Sequence, residues 1–109
     1  MRPGREAEAL KLIRAVKREA EMKQRGTLVY LVHQVLTKQK QPKATRKLCF
    51  YERYRNQAAL DKHLASASWQ AVKSNWPRCF EGTWKKNIKF FGIVRIAAFA
   101  RRGAIPVAT

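Results

Sequence analysis

Between Thr27 and Leu36 the chain carries Leu28, Val29, Tyr30, Leu31, Val32, Val35 and Leu36, side chains that suit a pleated, buried surface. Apolar residues fall on both faces, which predicts a strand covered on both sides: by helices on one, by a partner sheet on the other. His33 lies within it and reads as a structural or edge residue. A second strand is predicted over Arg46 to Tyr54. There Leu48, Phe50, Glu52 and Tyr54 share one face and Lys47, Cys49, Tyr51 and Arg53 the other. The polar stretch Thr37 to Thr45, interrupted by Pro42, joins the two as a long hairpin loop.

Helical spacing dominates elsewhere. Ala9, Leu12, Ile13, Val16 and Ala20 form one stripe of a helix predicted over Arg5 to Arg25, with Gly26 in the place of a left-handed C-cap. Asn56 is an expected N-cap, since its side chain can accept from a first-turn amide. Ala59, Leu60, His63 and Leu64 follow on one face. Trp69, Val72 and Trp76 continue the spacing to about Asn75, in two pieces broken near Ser66, until Pro77 stops it. The tryptophans read as core or pocket wall. Ile88 to Arg101 alternates like another strand, with Gly92 as a bulge; residues 103–109 read as a frayed tail.

A chain of 109 residues with 46% hydrophobic side chains is one domain with a modest core. It has no apolar run long enough to span a membrane and no signal-peptide core, so the cytoplasm is the expected location. Cys49 and Cys79 make neither a disulfide framework nor a metal site. The net charge of +17 is uneven: after residue 21, eighteen Lys and Arg face only Glu52, Asp61 and Glu81. Such imbalance is a mark of polyanion binding or of a basic, solvated surface.

Glu52 and His63, eleven residues apart, sit on a strand that turns directly into a helix. Both can point into one cavity beside the sheet, and no other pair offers comparable acid/base chemistry. Tyr51-Glu52-Arg53-Tyr54, followed by Ala59-Leu60-Asp61-Lys62-His63-Leu64-Ala65-Ser66, resembles the antibiotic biosynthesis monooxygenase family, also called quinol-monooxygenase-like. Pro3-Gly4 matches the family's turn between its first strand and first helix. Almost nothing precedes it, so the family's first strand is expected to be lacking.

The resemblance implies an α+β fold: a ferredoxin-like antiparallel sheet with two helices on one face, its other face meeting a second subunit in a dimeric α+β barrel. It implies oxygenation of a quinol or anthrone with no cofactor, the aromatic substrate itself reducing oxygen. Glu52 or His63 would be the base, His63 being the better tuned because it titrates near neutrality. Tyr54, Tyr30 and Trp69 would line the pocket, and Arg53 would hold the oxyanion if it turned inward. An equally weighted alternative makes Glu52 and His63 structural, in a dimeric ligand-binding or scaffold protein without turnover. A rival class is a basic nucleic-acid-binding module. Lys47 to Tyr54 is similar to the sheet motif of RNA-recognition folds, but lacks its glycines and sets Glu52 among the aromatics. That reading predicts weak, non-specific binding.

Overall fold

The computed structural model describes residues 1–88, 92–93 and 95–104. Its elements are α1 (Glu6–Lys23), β1 (Thr27–Leu36), β2 (Ala44–Tyr54), α2 (Gln57–Leu64), α3 (Ala67–Ser74), α4 (Trp76–Cys79) and α5 (Trp84–Asn87). The class is α+β, as the family resemblance implies. α1 forms on the expected stripe, burying Ala9, Ile13, Val16 and Ala20, with Glu6 and Glu8 in its first turn, where the helix dipole favours acids. It stops at Lys23, and Gln24 closes it with a backbone bond to the Ala20 carbonyl. Gly26 is not among the glycines with left-handed backbone. Its requirement is steric instead: a Cβ there would lie 2.5 Å from the Ala59 side chain, so only glycine lets the β1 entry approach α2 so closely.

The side chain of Asn56 caps α2, accepting from the Ala59 amide at 2.9 Å. Ser66 breaks the helical region where expected. Its hydroxyl donates to the His63 carbonyl at 2.6 Å, ending α2, and accepts from the Trp69 amide, opening α3. Glu19 ties α1 to α3, accepting from the Ser68 amide and hydroxyl at 3.1 and 2.8 Å.

β1 and β2 pair antiparallel, with Tyr30 opposite Glu52, Val32 opposite Phe50 and Gln34 opposite Leu48; irregularities fall between Thr27 and Val29 and between Gln34 and Leu36. Directly opposed residues share a face. The face of Tyr30, Val32 and Leu48 packs on a core made by Ala9, Ile13 and Val16 with Val72, Trp76, Cys79 and Phe80. The opposite face carries Val29, Leu31 and Tyr51, half-buried, with His33, Cys49 and Arg53 exposed. Ahead of α1 there is no strand among the described residues. Met1 donates its amino group to the Arg46 carbonyl at 2.6 Å, and the Arg2 amide donates to the Cys79 carbonyl at 2.8 Å.

The expected C-terminal strand is corrected. Among the described residues the sheet has two strands, and those between Ile88 and Arg101 belong to none. Ile93, Ile96 and Phe99 are exposed, Ile96 at 94%; Lys89, Phe90, Phe91 and Val94 lie outside the described residues, as do 105–109 of the expected tail. Alternation makes a segment amphipathic only if it is extended, and it becomes a strand only when another strand's edge takes its backbone. Beyond the expected helical region two single turns follow, α4 and α5, and Pro77 stands in the first turn of α4, where a missing amide costs nothing, instead of ending the helical run.

Candidate active site at the junction of β2 and α2

The pleat of β2 sends Glu52 and Tyr54 to the face that α2 covers, and the phase set by the Asn56 cap turns His63 down onto them. His63 is 3% exposed. Its Nε2 lies 3.5 Å from Glu52 Oε1, and its Nδ1 is 2.8 Å from Oε1 of Gln24, itself 4% exposed. Thr27 Oγ1 donates to the same Gln24 oxygen at 3.3 Å, so the amide presents its carbonyl end to the ring. A carbonyl only accepts; Nδ1 therefore carries the imidazole proton and Nε2 offers its lone pair towards Glu52.

Two phenols flank the ring, Tyr30 at 5.6 Å and Tyr54 at 5.4 Å between centroids. Tyr54 Oη donates to Glu52 Oε1. Burial pulls the His63 pKa below its usual 6.5, opposed by the nearby carboxylates of Glu52 and Glu19, so the ring is neutral at pH 7. Burial also pushes both phenols far up, with the Glu52 charge adding to it for Tyr30 and the Glu52 hydrogen bond for Tyr54. Both remain protonated donors at any physiological pH. Exposure separates the ends of the array: the Glu52 side chain is 27% exposed, whereas His63 is sealed behind it.

A cavity of about 270 Å³ opens beside Tyr30, between Lys17, Ala20 and Glu21 of α1 and Thr27 and Leu28 of β1. Among Gln24, His63, Glu52 and the two phenols, only Tyr30, the cross-strand neighbour of Glu52, lines it. Of the residues expected from the sequence, Glu52, His63, Tyr54 and Tyr30 come together. Arg53 does not: its register partner is Val29, on the opposite face, and it is exposed. Trp69 is half-buried and packs against the hydrophobic core. Gln24 is the residue the sequence reading missed, because only the docking of α1 brings it to a histidine 39 positions away.

A family model described as antibiotic biosynthesis monooxygenase matches residues 1–75. The chain belongs to this family. The matched residues run from α1 to the end of α3 and contain the whole Gln24–His63–Glu52 array, and the α+β architecture is consistent with the ferredoxin-like fold of the antibiotic biosynthesis monooxygenases. Members of the family are commonly dimeric small-molecule binders. No curated protein and no solved structure gives a significant match. Among the described residues no helix is long and apolar enough to cross a membrane.

Proposed function

We propose that this member of the antibiotic biosynthesis monooxygenase family oxygenates an electron-rich aromatic small molecule, a quinol or anthrone, without a bound cofactor. The observation that carries this reading is the contiguous series Gln24–His63–Glu52, in which Gln24 hydrogen-bonds His63 and His63 Nε2 lies 3.5 Å from the part-exposed Glu52 carboxylate, bordered by phenols that stay protonated. Glu52 is the base. It takes the acidic proton of the substrate, and neutral His63 receives charge or proton through Nε2. Tyr54 holds the Glu52 oxygen, and Tyr30 forms the wall between the carboxylate and the cavity.

The ionised substrate then passes one electron to dioxygen, and the radical pair joins to form a peroxide at the ring carbon. Loss of water leaves a new carbonyl. One oxygen atom stays on the product, the other leaves as water, and the substrate supplies all four electrons. In an oxygen electrode, anthrone or a simple quinol is expected to be consumed with one dioxygen per substrate and no added flavin or metal. A folded protein inert towards every quinol and anthrone offered would favour a ligand-binding or scaffold role.

The protein acts as a homodimer through the sheet face of Val29, Leu31 and Tyr51, which its own helices leave uncovered on the side away from Tyr30. Sedimentation at micromolar concentration is expected to give twice 12.6 kDa. A monomer at every concentration would count against this pairing.

A further inference from the structure

A second cavity, of about 350 Å³, lies away from the Glu52–His63 array, between α3 and α5, lined by Lys73, Trp76, Gly82, Thr83, Trp84 and Lys85. Its central feature is the half-buried indole of Trp84. The ammonium groups of Lys73 and Lys85 stand 4.5 and 5.8 Å from the ring centroid. The wall beside it is held in place: Trp76 Nε1 donates to the Glu81 carbonyl at 3.2 Å and Asn87 Nδ2 donates to the same oxygen. Gly82 turns there with φ of 65°, and a Cβ would meet Asn87 Oδ1 at 2.4 Å. An indole with two ammonium groups over its ring joins an aromatic surface to positive charge and fits a planar ring that carries a negative group.

We propose that this cleft takes one nucleotide of a single-stranded nucleic acid, the base on the Trp84 indole and the flanking phosphates on Lys73 and Lys85. A strand is favoured over a free aromatic anion by the charge of the chain, eighteen Lys and Arg against three acids after residue 21, which suits a polyanion. A single strand is favoured over a duplex because only an unstacked base can offer its face to an indole. All the lining residues but Lys73 lie beyond the matched residues 1–75, and the proposal is independent of the oxygenation chemistry.

The test is fluorescence anisotropy of a labelled 12-residue oligothymidylate with the full chain at 50 and 200 mM salt. Trp84→Leu is expected to weaken binding about 5- to 100-fold at fixed salt, the size of one stacked base, and Trp84→Phe to keep most of the affinity. Lys73→Met and Lys85→Met are each expected to flatten the slope of log affinity against log salt by about 0.7. Lys85 is exposed, so its variant keeps the fold and can be read even if Trp84→Leu does not fold. Absence of binding at 50 mM salt, preference for a duplex of equal length, or unchanged affinity in Trp84→Leu would each overturn the proposal. So would an unchanged salt slope in Lys85→Met, or thymidine monophosphate competing as well as the strand.

Discussion

Glu52→Gln is expected to lower quinol or anthrone turnover by about a hundredfold or more, the usual size of a general-base contribution. The amide keeps the shape of the carboxylate and can still accept from Tyr54 Oη, but it cannot take a proton, so a loss reports chemistry more than architecture. His63→Ala is expected to fall comparably, for a different reason: it removes the neutral ring behind Glu52 and leaves the buried Gln24 amide without one partner. That unpaired group costs about 1–3 kcal/mol of stability, so melting of each variant must be measured beside its rate. The pH dependence separates the two effects. Burial holds the folded His63 pKa below the 6.5 of the unfolded chain. Below about pH 6.5 the unfolded state binds a proton that the native state resists, so the stability that His63 contributes is present above 6.5 and declines as pH falls. Turnover should fall in the same direction as the ring becomes protonated. Wild-type stability is therefore expected to drop between pH 7 and 5 by more than that of His63→Ala. Full turnover in Glu52→Gln with an unchanged pH profile would remove Glu52 from the role of base.

Trp76→Ala is expected to cost about 3–5 kcal/mol in denaturant unfolding, the range for a buried large aromatic. Against a net stability of about 5–15 kcal/mol for a domain, such a loss leaves the fold marginal. Trp76 is 8% exposed and stacks on Phe80 with centroids 4.4 Å apart. It joins α4 to α1 and α3 through the core that includes Ile13, Val16 and Val72, and its Nε1 anchors the Glu81 turn. Trp84, half-buried in the neighbouring cleft, is expected to cost less. A loss below about 1 kcal/mol for Trp76→Ala would mean that α4 is not docked on the core.

Much of this arrangement is written in local sequence. The bounds of β1, the Asn56 cap, the break at Ser66 and the α1 stripe follow from side-chain period and from hydroxyl or amide groups beside free backbone donors. Each depends on residues within a turn or two of each other. The joint placement of Glu52 and His63 was legible for the same reason: one strand pleat and one capped helical phase fix both directions over eleven residues. Gln24, by contrast, reaches His63 only because α1 docks on α3 and β1 and so brings its C-terminal end to the ring, and Arg53 faces away from the site because its register sets it opposite Val29. The described residues of the stretch expected as a strand over Ile88–Arg101 lie in none on the same ground, since alternation states which face would be apolar, not whether an edge is there to pair with it. The sequence by itself determined α1, α2 and α3, the hairpin and the closeness of Glu52 to His63. The tertiary structure alone decided the tautomer of His63, the exclusion of Arg53 and Trp69 from the site and the fate of the C-terminal segment, because each depends on partners far along the chain that no local periodicity encodes.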